Sequence, residues 1–301
     1  TYGDWSSDVC SSDLLSSGRC KGSGYIMNLK KISRRTAYYL VMLIFSFFTL
    51  LPFFWMVSTS LKKTKALTVL PIQWFPDEIS FDGFVKIFDI FPFDKAIFNS
   101  IFISVLITFV TVMSASMAAY VFSKINFKGR EVLFGIYIAT MMIPANITMI
   151  PNYLTLKHLS LLNSYVGIML PSLFNAFGTF MIRQYMRTIP DDFVEAAVLD
   201  GASQLRIFFK MILPLSKPAI ATLTVITFMG AWNDYLWPLI VLTDKNKMTL
   251  PVGLSLLNGQ HQSDYNMLMA GALISMIPIL LIYTFAQRYF EQGLSVGGIK
   301  G

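Results

Sequence analysis

The 301-residue chain is 54% hydrophobic and only 14% charged, too apolar for an ordinary soluble domain, where about a quarter of residues carry charge. Its net charge of +7 is not gathered into one basic stripe interleaved with aromatics, so it does not point to nucleic acid. The basic residues lie between apolar runs, where Lys and Arg set membrane topology.

Residues 1–26, TYGDWSSDVCSSDLLSSGRCKGSGYI, differ in composition from everything that follows. They lack the basic start and continuous apolar core of a signal peptide. They read as a non-native leader of the kind that adapter sequence leaves in assembled data, with the native chain starting at Met27. Both cysteines, Cys10 and Cys20, fall inside it, and no His or acidic cluster completes a ligand set around them.

Spanning the hydrocarbon takes about 20 mostly apolar residues. Six segments qualify: Ala37–Val57, Ile97–Phe122, Val132–Pro151, Tyr165–Ile182, Ala219–Leu242 and Met267–Gln287. With no water at that depth each must satisfy its own backbone, so all six are expected to be helices, and the fold class is an all-α polytopic membrane protein. Pro144, Pro171 and Pro278 lie inside spans and are expected to kink rather than break them. The loop from Ser58 to Ala96 balances its charges and reads as a small folded cap. With the start placed in the cytoplasm, the inner segments hold fourteen Lys and Arg against eight in the outer ones. That bias puts both termini inside.

The segment between spans four and five, RTIPDDFVEAAVLDGASQLRIFFKMILP, is helical in pattern yet polar. Thr188 and Asp191 have capping-box spacing, and Asp191 and Asp192 suit the positive end of a helix. Ala197 and Gly201 are four apart on one face, with Ala196 and Asp200 on the adjacent stripe. Small residues so placed admit the close approach of another surface. Gly201 suits the left-handed end of this helix, and Ser203 can cap a second one closing at Leu213-Pro214. A cytoplasmic hairpin over residues 188–214 follows. On spacing alone, an amphipathic helix resting at the lipid boundary through Phe193, Val194, Ile207, Phe208 and Phe209 stays open.

Within the spans Asp234 is the one acidic residue that stands out. It can serve a pathway or bond a neighbouring helix. Asn146, Asn175, Trp232, Asn233 and Tyr235 can line a sugar pathway, or act as interhelical glue and interfacial anchors. No nucleophile–base arrangement is evident, and there is no G-x-x-x-x-G-K-[ST] run to cradle ATP phosphates.

Glu195-Ala196-Ala197, then Gly201, then Leu213-Pro214 resembles the EAA signature of bacterial ABC importer permeases. Met211 stands where that family usually has isoleucine. STSLKKTKAL after the first span, WFP in the outer loop, AWNDYLWPLIVL and RYFEQGLSVGGIKG extend the likeness over residues 27–301, toward the second permease subunit of carbohydrate-type importers. The resemblance implies a type I importer transmembrane domain of about six spans in the bacterial cytoplasmic membrane. Glu195, Ala196, Ala197, Asp200, Gly201, Met211, Leu213 and Pro214 would then belong to a coupling loop that docks on a cytoplasmic ATPase dimer. It further implies a second permease, an external solute-binding protein and a sugar or oligosaccharide substrate. No cofactor would bind this chain, and ATP and magnesium would sit on the partner ATPase. The competing reading is an ATP-independent carrier or channel whose hairpin only rests on lipid.

Overall fold

A computed structural model describes residues 20–63, 73–260 and 264–295. Every regular element among them is helical. In chain order these are α1 (Cys20–Ser60), α2 (Asp82–Ile90), α3 (Phe93–Lys124), α4 (Arg130–Ala139), α5 (Ala145–His158), α6 (Tyr165–Met169), α7 (Ala176–Met186) and α8 (Asp192–Leu199). There follow α9 (Gln204–Ile207), α10 (Leu213–Leu215), α11 (Lys217–Asn233), α12 (Leu236–Val241), α13 (Leu250–Gln260) and α14 (Tyr265–Ser295). The expected leader falls on residues 1–19, outside the described residues, and on the first turn or two of α1.

Among the described residues, three helices are long and apolar enough to cross a membrane alone: Arg35–Ser60, Phe93–Lys124 and Tyr265–Thr284. Three bent pairs are long and apolar enough only when their halves are taken together, which gives three to six spans: Arg130–Met142 with Ala145–His158 at 96°, Tyr165–Ser172 with Ala176–Met186 at 48°, and Gln204–Leu215 with Lys217–Asn233 at 81°. Two of the three prolines expected to kink sit at breaks instead. Pro144 is extended between the first pair, and Pro171 lies in the 3-10 turn before the second bend. Each ring removes a donor and pushes the preceding residue out of the helical region. Pro278 stays inside α14.

The chain divides into two compact units, residues 1–55 and 56–301. In the first, α1 exposes apolar side chains all round, Tyr39, Phe45 and Phe48 among them, which suits a helix solvated by lipid. In the second, α3 is the central post and contributes to all three buried clusters. Its buried face reads Ala96, Ser100, Ser104, Thr108, Thr111, Ala115 and Ala119. These small residues repeat every three or four positions and let α7 and α11 pack closely. Gly178 of α7 completes that crossing, because a Cβ there would lie 2.9 Å from Leu223 of α11 and 3.4 Å from Ala115.

Hydroxyls on α3 also repair the bend at Pro171. Thr111 Oγ1 donates to the Ser172 carbonyl at 2.8 Å and Ser114 Oγ to the Leu173 carbonyl at 2.6 Å. Carbonyls freed in an apolar medium need such partners. The loop after α1 is folded as expected over its described residues. Ser80 donates its N–H to the Leu61 carbonyl at 2.8 Å, and Gly83 of α2 packs on the Asn266 backbone of α14.

Candidate functional site

The hairpin is built on the end of α3. Pro190 keeps Ile189 from helical geometry, so α8 starts only at Asp192. The expected Thr188–Asp191 capping box therefore does not form. Thr188 Oγ1 donates back to the Tyr185 carbonyl at 2.8 Å, and Asp191 pairs with Lys124 at 2.6 Å. At the other end of α8, Gly201 takes φ +77°. Its N–H donates to the Val198 carbonyl and that of Ala202 to the Ala197 carbonyl, both at 3.0 Å, which is the paired ending that glycine permits. Ser203 Oγ then accepts the Arg206 N–H at 3.4 Å and opens α9.

The second arm does not end at Leu213-Pro214 as expected. It runs from α9 through a π turn (Phe208–Ile212) into α10 and stops at Ser216. Pro214 cannot donate to Lys210 and its ring crowds that carbonyl, and a widened turn directly before it relieves both problems. Met211 and Leu213 are half-buried against the same cluster as Ile207, Phe208 and Ile212.

Two contacts fasten the hairpin to α3. Lys124 donates to the Ile189 carbonyl at 2.5 Å as well as to Asp191. Tyr120 donates to Gln204 Oε1 at 2.7 Å and packs its ring on Phe208. Arg183 of α7 joins the same corner. Its Nε donates to the Phe122 carbonyl at 3.0 Å, one terminal nitrogen grips both Glu131 oxygens at 2.6 and 2.8 Å, and its guanidinium lies 3.8 Å over the Phe134 ring. In the sequence Lys124 and Arg183 count only toward topology, because their partners lie 52 to 67 residues away.

The faces of α8 differ from expectation at one residue. Ala197, with Val194, is buried against the hairpin's own bundle, so it does not share an outward face with Gly201. The free face carries Phe193, Glu195, Ala196, Val198, Leu199, Asp200 and Gly201. Leu199 is 88% exposed.

The residues expected along a pathway have different surroundings. Asn175 caps α7, accepting the Gly178 N–H at 2.7 Å. Trp232 is buried and donates to the Ser275 carbonyl of α14 at 3.1 Å. Asn233 is exposed and bonds back to the Met229 carbonyl, and Tyr235 accepts from Ser255 Oγ at 3.0 Å. Asp234 is not inside a continuous span: α11 ends at Asn233, Asp234 is extended, and its carboxylate faces the Trp237 N–H at 3.5 Å. It therefore lies at a helix break, and its carboxylate meets the first turn of α12. Asn146 is exposed in the first turn of α5, away from this cluster in sequence.

Residues 111–296 match the family described as binding-protein-dependent transport system inner membrane component. The chain belongs to that family. As a member it is 35% identical over 270 residues to the arabinooligosaccharides transport system permease protein AraQ of Bacillus subtilis (strain 168), covering 89% of this chain and 96% of that one. It is 32% identical over 281 residues to the inner membrane ABC transporter permease protein YcjP of Escherichia coli (strain K12), covering 90% and 99%. Among solved structures it resembles a bacterial ABC transporter involved in the import of the acidic polysaccharide alginate, with a TM-score of 0.76, 28% identity and coverage of 92% and 99%. This permease is thus an inner-membrane component of an ABC importer, with the helical fold of an importer transmembrane domain.

Proposed function

We propose that this permease passes a sugar or oligosaccharide inward, driven by ATP hydrolysis on a partner ATPase dimer that grips α8. Supporting the sugar class are the relatives named for arabinooligosaccharides and alginate. The ATPase dock rests chiefly on one observation. The face of α8 from Phe193 to Gly201 is exposed and partly apolar, while Val194 and Ala197 on its other face are buried in the bundle and the segments flanking it are tied to α3 through Lys124 and Tyr120. A helix held this way moves as one body with the post behind it, so displacement at the dock reaches α7 and α11. Glu195, Ala196, Asp200 and Gly201 form the contact. Ala197, Met211, Leu213 and Pro214 hold its shape from behind.

In this reading both termini and the hairpin are cytoplasmic, as the excess of basic residues on that side supports. A second permease completes the passage, and a solute-binding protein delivers substrate from outside. Asn146, Asn233, Asp234 and Tyr235 supply polar groups at or beside helix breaks, where a sugar's hydroxyls can be met. Trp232 and Asn175 shape that region from within the bundle. ATP and magnesium belong to the ATPase.

The deciding experiment purifies the assembled importer and measures which sugars, delivered by its binding protein, raise ATP hydrolysis. Co-purification of an ATPase with sugar-dependent hydrolysis is expected. Uptake by vesicles holding this chain alone under an ion gradient would instead establish the ATP-independent carrier.

A further inference from the structure

We propose that the second arm of the hairpin, Gln204–Leu215, lies on the inner membrane surface and binds anionic phospholipid through Arg206, Lys210 and Lys217. This rests on the cytoplasmic placement of the hairpin. The arm meets α11 at 81°, and α11 is assigned as the crossing half because its 17 residues carry no charge after Lys217, whereas the arm carries Arg206 and Lys210. A helix at that angle to a span runs nearly in the membrane plane. The arm is about 18 Å long at ~1.5 Å per residue. With α11 upright its far end drops only about 3 Å from the level of Ser216, within a headgroup layer of roughly 5–7 Å. A tilt of ~20° in α11 raises the drop to about 9 Å at most, still within reach of a snorkelling Lys or Arg.

The side chains agree with that placement. Ile207, Phe208 and Ile212 turn into the bundle and are buried. Leu205, Phe209 and Leu215 are instead exposed at 62, 46 and 47%, beside the exposed cations Arg206, Lys210 and Lys217. Apolar residues flanked by cations at the mouth of a span suit the boundary between headgroups and acyl chains. The charge is one-sided, since no Asp or Glu occurs between Gly201 and Asp234. The carboxylates of the hairpin all lie on the first arm, at Asp191, Asp192, Glu195 and Asp200. The two arms thus divide their labour. The acidic and apolar first arm meets protein, and the basic second arm meets the phosphates of the leaflet from which α11 rises.

The test uses the assembled importer in nanodiscs of phosphatidylcholine with or without phosphatidylglycerol. Spin-labelled phosphatidylglycerol reports lipid association with wild type, with the double variant Arg206→Gln/Lys210→Gln, and with the charge-preserving Arg206→Lys/Lys210→Arg. Each cation removed is expected to cut the preference for the anionic lipid about fivefold, while the charge-preserving pair retains it and both variants keep their ATPase. A label on a cysteine replacing Leu205, with Cys10 and Cys20 changed to Ser, is expected to lie at headgroup depth. An unchanged lipid preference in the Gln variant overturns the proposal. So does loss of the ATPase from that variant, which would assign the arm to the protein interface. Labelling of position 205 from outside intact cells would overturn the placement of the hairpin itself.

Discussion

Lys124, buried in the last turn of α3, holds Asp191 at 2.6 Å and the Ile189 carbonyl at 2.5 Å. The two bonds differ in worth. Asp191 is 71% exposed, and an ion pair so open to water contributes about 0–1 kcal/mol. The bond from the ammonium to the carbonyl is shielded and contributes about 1.5–3 kcal/mol.

Lys124→Met is therefore expected to loosen the hairpin far more than Asp191→Asn. In the reconstituted importer, the first should lower sugar moved per ATP hydrolysed by about tenfold, near 1.4 kcal/mol of lost coupling. The second should stay within a factor of about five. Equal effects from both would show that the ion pair, not the carbonyl bond, does the holding.

Gly201 separates backbone conformation from bulk. Its φ is +77° and the space around a built Cβ is empty to 4 Å, so any defect in a variant arises from strain or from the partner's approach. Left-handed backbone costs most residues about 1–2 kcal/mol and asparagine less. Gly201→Asn is expected to insert, fold and keep its ATPase, and Gly201→Val to insert but lose it on co-purification.

The apolar runs made the spans and the polar interruption legible, because hydropathy alone marks what lipid can solvate. Gly201 and Ser203 were legible as helix punctuation because their roles are local. The side of α8 that Ala197 faces was not, since a small residue fits a partner's surface and a tight core equally well. The break at Asp234 was hidden within one unbroken apolar window, Ala219–Leu242. Asn99 passed unnoticed although it ties α3 to the start of α6 and to the segment before α13. It donates to the carbonyls of Asn246 and Met248 and accepts from Tyr165, partners 147, 149 and 66 residues away. Spacing patterns cannot reach across such distances.

Gly178 predicts a rescue. Its missing side chain leaves room for Leu223, whose methyls would sit 2.9 and 3.0 Å from an added Cβ. Gly178→Val should lower stability by about 1–3 kcal/mol, the usual cost of overpacking. Adding Leu223→Ala opens that space and should recover part of the loss in detergent thermal unfolding. Absence of any recovery would move the strain to Ala115, 3.4 Å away on α3.

The loop before α13 predicts a pH response. The Asn246 backbone N–H donates to Asp244 Oδ1 at 2.9 Å, and the Asn246 side-chain amide donates to the same oxygen at 3.2 Å. The backbone bond foremost, then that amide and the charges of Lys247 and Lys95, hold the Asp244 carboxyl below the usual aspartate range. A carboxyl whose folded pKa is depressed contributes stability fully present above its unfolded value, near 4, and lost as pH falls through the folded one. The loop is thus indifferent to pH from neutrality down to about 5 and loosens only below about 4. Amide hydrogen exchange at Asn246 and Lys247 measures this directly: protection should fall below that pH in the wild type. In Asp244→Asn it should be weaker at neutral pH and flat across the range. A wild-type loop that instead loosened between pH 6 and 7 would assign the response to a group other than Asp244.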